Sequence, residues 1–561
     1  MKILISIKIL SLKKPFSFIS FLLFSIYFSS VTYSSPPATN FKISLSPQIT
    51  KTALSGRMFL IISKKDDPEP RLQISWKTGP LIFATDVFNL KEEETVVINN
   101  AVNGFPLNSL ADIPSGDYYV QALFNIYTKF KRSDGHIIFA HMDQWEGQKF
   151  YKSPGNMISP VQKIYLDPDS GLTVKIEINK IIPPVDIPQD TRWVKRIKIK
   201  SELLSKFWGH PIYLGAAILL PRDYSNNPHQ FYPVEYIQGH FSLRAPHGFR
   251  TDPPVKDEND RSYRHHKEDY QFYQDWISDD FPRMICVTFQ HPTPYYDDSY
   301  AVNSANNGPY GDAILKELIP YIENKFRIIR KPYARILSGG STGGWEALAL
   351  QLYHPDFFGG AWVFYPDPVD FHFYGLLNIY DDDNAYEISE GDWRKIERPM
   401  NRDRYGQPLN TLREMGRFEN VLGPRDRSGR QLAVWEAVFC PVDEDGYPKP
   451  LWEIKSGKID HTVSDYMRDH NYDLLQYLKI NWPRIGKKLK GKLHFYCGDM
   501  DGYYLNLGVY ELEKFLESTK DPYYEGSFEY GRPLQGHGWN PLTTSQLLKT
   551  IDNYIKKAEH R

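Results

Sequence analysis

Three short stretches carry residue types suited to acyl transfer. The first is Gly339-Gly340-Ser341-Thr342-Gly343-Gly344, which fits G-x-S-x-G. A mostly apolar run, 334–338, precedes it, and a helical pattern opens at Trp345. A serine at such a strand–turn–helix junction is held in a strained backbone with its hydroxyl above the sheet. Glycines flank it because a Cβ there would strike the neighbouring strand or helix. The Thr342 N–H then points at the oxyanion formed when Ser341 attacks a carbonyl. A bare glycine-rich turn gives the same five letters by chance, but without the strand before and the helix after.

The other two stretches supply an acid and a base. Residues 493–497 read as a buried strand that runs into Gly498-Asp499-Met500-Asp501. An acid just past a strand end can orient a histidine and stabilise its imidazolium. Asp501 is the choice, Asp499 the near competitor, and Asp367, past the strand after the serine, the remote one. The base is His537, in the loop Gly536-His537-Gly538-Trp539 ahead of a final helix over 543–557. It takes the Ser341 proton and returns it to the leaving group. A second oxyanion donor is expected after a strand at 234–237, from the backbone N–H of His240 or Phe241, with the His240 side chain lining the pocket.

Metal readings are weaker. His265-His266 lies in a polar run, 257–269, without an obvious third ligand, and reads as loop. Asp381-Asp382-Asp383 lacks the fixed ligand spacing of a Ca²⁺ loop and reads as a solvated turn. No metal and no cofactor are expected.

These residues need elements to hold them. The 561 residues allow two or three domains. A net charge of −1 shows no basic excess of the kind that marks nucleic-acid binding. Residues 1–35 have early lysines, a Phe/Ile/Leu-rich run and then small residues, the layout of a signal peptide. The apolar run is short for a bilayer span and serines interrupt it, so no lasting membrane anchor is expected. An exported protein, periplasmic or secreted, follows from that reading. Residues 36–200 read as a β-sandwich-like domain: short β-prone runs are separated by Pro and Gly connectors, and Val174, Ile176 and Ile178 alternate with polar residues. Trp145 and the many tyrosines there suit either a sugar-stacking surface or a core. Residues 201–561 alternate strands and helices, which implies a doubly wound α/β sheet. A helix over 313–326 is expected with Asp312 as N-cap. Residues 366–490 are too many for a connection and read as an inserted cap. Cys286 and Cys497 sit in apolar runs as buried free thiols.

Taken together these pieces resemble the putative esterase family of α/β-hydrolases, which includes ferric enterobactin esterase, feruloyl esterases and esterase D. The matching stretches are 232–240, 317–323, 339–344, 354–360, 498–501 and 536–539. The order Ser341, Asp501, His537 is that of an α/β-hydrolase triad. The resemblance implies ester hydrolysis by Ser341, Asp501 and His537 without a cofactor, on a small or carbohydrate-linked ester. A siderophore lactone is one alternative substrate, and polysaccharide binding by an idle scaffold is the alternative class. The turn reads Gly239-His240 where many members read His-Gly. The N-terminal β module and the long insert are absent from compact members.

Overall fold

Short β-branched and aromatic runs set the central sheet. The computed structural model describes residues 39–256, 261–391 and 393–560; the leader-like segment 1–35 lies outside them. Eight strands form the sheet: β1 (Val194–Ser201), β2 (Ile212–Leu219), β3 (Val234–Gln238), β4 (Ile285–Gln290), β5 (Arg335–Gly340), β6 (Gly360–Phe364), β7 (Leu493–Gly498) and β8 (Ser527–Gly531). Their spatial order is β1-β2-β4-β3-β5-β6-β7-β8. β1, β2 and β4 pair antiparallel, and every pair from β4 through β3 to β8 is parallel. β5 and β6 are buried almost throughout, as parallel strands covered on both faces must be. The described residues contain no helix long and apolar enough to cross a membrane.

The helices that matter are α1 (Arg261–Trp276), α2 (Ile319–Lys325), α3 (Thr342–Tyr353), α4 (Leu412–Leu422), α5 (Gln431–Phe439), α6 (Leu474–Leu489), α7 (Asn506–Ser518) and α8 (Thr544–Glu559). α3 packs on β3, β5 and β6, and α6 packs on α3. Crossovers between parallel strands need such helices.

Residues 39–181 build two further sheets. Asn40–Leu45 pairs with Thr173–Ile178 and Thr95–Ile98, and a larger sheet is centred on Leu54–Ser63 and Gly116–Lys131. Leu54–Ser63 is buried on both faces. Met58, Leu60 and Ile62 pack with Phe41 and Ile43 between the two sheets. Phe59 and Ile61 face the other way, into one core shared with Leu214 and Ile218 of β2. The period of two thus divides one strand between two cores.

Four expectations change. The boundary at 200/201 falls too late, because β1 pairs with β2 along its whole length and belongs to the α/β sheet. The insert ends before 490, because α6 is the crossover from β6 to β7. Asp312 is no N-cap: the helix starts at Tyr310, a π turn occupies Ile314–Leu318, and Asp312 pairs with Lys316 at 3.0 Å. Its N–H is taken by Asn303 Oδ1 at 2.9 Å, which fixes it inside the first turn. His265 and His266 lie on α1, not a loop, because Phe272 and Trp276 anchor that helix in the core.

Candidate active site

β5 ends at Gly340, and Ser341 stands between it and α3 with φ 57° and ψ −123°. A non-glycine residue there stores strain of about 1–3 kcal/mol, held by its surroundings. Ser341 N–H donates to Phe364 O at 3.0 Å, and Ser341 O accepts from Asp367 N–H at 3.1 Å. Close packing completes the turn. A Cβ on Gly343 would lie 2.2 Å from Gln238 O, and one on Gly339 2.2 Å from Gly343 O. Thr342 is the first residue of α3, where the helix leaves N–H groups without intrahelical acceptors.

His537 stands over Ser341. Its Nε2 is 3.1 Å from Ser341 Oγ, and its Nδ1 is 2.7 Å from Asp501 Oδ2. The rings of Tyr365 and Tyr503 meet it edge-on, both with centroids at 4.9 Å. Asp501 is fully buried, and its Oδ1 accepts from Tyr503 N–H at 2.8 Å and Leu505 N–H at 3.4 Å. Burial pulls the His537 pKa down; the hydrogen bond to Asp501 and the charges of Asp501 and Asp367 outweigh it, so the ring titrates above its usual range. Asp499 faces elsewhere. It accepts the backbone N–H groups of Leu534 and Gln535, at 3.3 and 2.9 Å, and so anchors the loop that carries His537.

Asp367, the remote alternative, is a neighbour of Ser341. Its Oδ1 accepts from Ser341 Oγ at 3.2 Å. Its Oδ2 accepts from Thr342 Oγ1 and Gln431 Nε2, each at 2.9 Å, and from Tyr300 OH and Trp435 Nε1. Gln431 and Trp435 lie on α5, so the insert reaches the site. Arg402, also from the insert, donates to Asp501 O at 2.9 Å and to Asn506 Oδ1 at 3.0 Å. No motif singled out Tyr300, Gln431, Trp435 or Arg402; they are isolated polar residues brought in by long connections.

His240 follows Gly239, whose backbone abuts Gly343. Its Nδ1 lies 2.8 Å from Asp298 Oδ2 and 3.2 Å from Asp297 Oδ1. Burial would lower its pKa, yet Tyr296 and the two aspartates hold it well above the usual histidine range. Its side chain lines a cavity of about 210 Å³ together with Phe241, Tyr296 and Arg430. Phe241 is buried, and Trp145 meets its ring edge-on at 5.2 Å, so Trp145 serves an interface between the β module and this turn.

Among the described residues, three groups bring potential metal ligands within 4.8 Å: His240 with Asp297 and Asp298, Glu235 with His247 and Cys286, and Asp370 with His372 and Asp473. Their carboxylates already have protein partners. Glu235 binds His247 and Ser338, both at 2.7 Å, and Asp473 caps α6. In the acidic triplet, Asp382 pairs with Arg398 at 3.0 Å. Cys286, Cys440 and Cys497 are all free and buried.

Residues 213–403 match the family model described as putative esterase. The match runs from β2 through Ser341 and stops before Asp501 and His537. No curated protein matched the sequence. Similar solved structures include a ferulic acid esterase, at 14% identity and TM-score 0.36, covering 65% of this chain and 99% of that one. A fluorophosphonate-binding serine hydrolase of Staphylococcus aureus gives 14% identity and TM-score 0.31, covering 65% and 97%. An S-formylglutathione hydrolase of Agrobacterium tumefaciens gives 13% identity and TM-score 0.31, covering 67% and 98%.

Proposed function

We propose, from the premise that this chain is a serine carboxylic-ester hydrolase with a putative-esterase region over residues 213–403, that Ser341, His537 and Asp501 act as its triad. The continuous chain of contacts from Ser341 Oγ through His537 to buried Asp501 is the observation that carries this reading. Ser341 Oγ attacks the ester carbonyl while His537 Nε2 takes its proton. The imidazolium faces Asp501, and the same proton passes to the leaving alcohol as the acyl-enzyme forms. Water then attacks, His537 takes a water proton, and the acid leaves with Ser341 restored. The Thr342 N–H and a backbone N–H at His240 or Phe241 hold the oxyanion. The substrate is a small or carbohydrate-linked ester. The leader-like layout of residues 1–35 supports export.

Trapping the intermediate tests this. Quenching the reaction with a slowly deacylated p-nitrophenyl ester is expected to leave one acyl group on the peptide containing Ser341, read by mass spectrometry. An acyl group on another residue, with Ser341 unmodified, would overturn it.

A further inference from the structure

A cavity of about 720 Å³ lies between the β module, the segment leading into β1 and the turn after β3. Lys149, Lys152, Arg196, Arg244 and Arg250 line it. Among the described residues none of these five makes an ion pair: the Arg196 guanidinium donates to the carbonyls of Gln189 and Leu243, while Asp190 accepts the Arg196 backbone N–H at 2.9 Å. Among the described residues the buried Nε atoms of Arg196 and Arg250 have no hydrogen-bond partner. Glu146, Asp252 and Asp269 share the wall. Glu146 is committed to His141 at 2.6 Å, so a clear basic excess faces the space. That excess is local, since the whole chain has a net charge of −1.

This cavity shares Lys149 and Phe241 with the 210 Å³ cavity that His240 and Arg430 line. Arg430 likewise makes no ion pair among the described residues and directly precedes Gln431, which donates to Asp367 beside Ser341. The smaller cavity, which Asp297 also lines, thus joins the interdomain cleft to His240, next to the Gly239 turn that abuts Gly343, and to Arg430. Asp190 and Asp269 stand near these groups, but guanidinium groups free of direct ion pairs in a concave, partly desolvated wall are suited to oxyanion recognition. A cleft with an excess of one sign also concentrates ligands of the other.

We infer that this cleft binds the anionic part of the ester substrate, a portion carrying carboxylate or phosphate groups whose ester lies at Ser341. The inference rests on the esterase reading and adds the substrate's charge to it. It also gives the N-terminal module a role, because Lys149 and Lys152 are its contribution to the wall.

The test uses the full chain and a neutral reporter, p-nitrophenyl acetate. A tetra-uronate and tripolyphosphate are added as inhibitors, with a neutral tetrasaccharide as control. Competitive inhibition by one or both anions is expected, weakening as salt is raised. The double variant Lys152→Glu/Arg244→Glu is expected to raise the inhibition constant, relative to the reporter's KM, by about 10-fold or more. Circular dichroism on the variant checks its fold, and the single variant Lys149→Gln gives the same reading more mildly. Inhibition by the uronate alone identifies a carboxylated carbohydrate, and inhibition by tripolyphosphate alone a phosphorylated ester. Failure of both anions, equal inhibition by the neutral sugar, or constants unmoved in the folded variants would overturn the inference. If the wild type hydrolyses no ester, the esterase reading fails instead. Calorimetric binding of the same two anions to Ser341→Ala then still decides the cleft.

Discussion

His537 must be neutral at Nε2 to accept the Ser341 proton. Its pKa lies above the ordinary 6.5, so kcat/KM is expected to fall as pH drops through that raised value. Asp367 contributes one of the negative charges behind the shift. In Asp367→Asn the acid limb of the pH–rate profile should therefore move to lower pH. Its plateau should drop by about 10-fold, because one of the two oxygens that accept from Ser341 and from Gln431 with Trp435 becomes a donor NH2. An acid limb that stays in place would contradict this role for Asp367. The competing acids separate as sharply. Asp501→Asn is expected to lower kcat by about 10³–10⁴, because the amide favours the wrong imidazole tautomer. Asp499→Asn, which only loosens the loop before His537, should cost about 1 kcal/mol of stability and little in kcat. Kinetics and urea melts on the two variants check both. That the side chains of Ser341, Asp501 and His537 meet was legible in the sequence, because glycines or a strand end mark each of them; their roles as a triad are the proposal. Asp367 was visible only as an acid past a strand, since its contact with Ser341 depends on how the turn after β6 folds back.

The sharp turn after β5 works only if β5 does not shift. Arg335 opens that strand and reaches Glu323 of α2 through two bonds, Nε–Oε1 at 2.7 Å and Nη2–Oε2 at 2.9 Å. Tyr236 of β3 donates to the same Oε1 at 3.0 Å. Both partners of the ion pair are nearly buried. Arg335→Ala would leave Glu323 charged and unpaired, a cost of about 3–5 kcal/mol in a urea or thermal melt. A loss below about 1 kcal/mol would show the pair to be solvated. Strand existence was readable from apolar runs, because parallel strands are apolar on both faces. Helix limits were less so. Asp312 looks like a cap in sequence, but Asn303, nine residues earlier, decides where its N–H goes.

Across the molecule, the β module and the insert clasp each other as well as the α/β sheet. Asp86 of the module pairs with its own Arg57 at 2.7 Å and with Arg427 of the insert at 2.6 Å. Arg57 also donates to Val421 O of α4 at 3.0 Å through Nε. The contacts of Arg427 and Val421 with the module join residues more than 300 positions apart, so no local pattern announces them. The boundary at 200/201 was misplaced for a related reason. β1 alternates like the module's strands, and only its pairing with β2 assigns it to the sheet.

All three scales converge on Ser341. The most direct measurement is kcat/KM of the full chain on p-nitrophenyl acetate, beside that of Ser341→Ala. A loss of about 10³-fold or more is expected, with the fold intact. Equal activity in the two proteins would contradict it, since the nucleophile would then lie elsewhere.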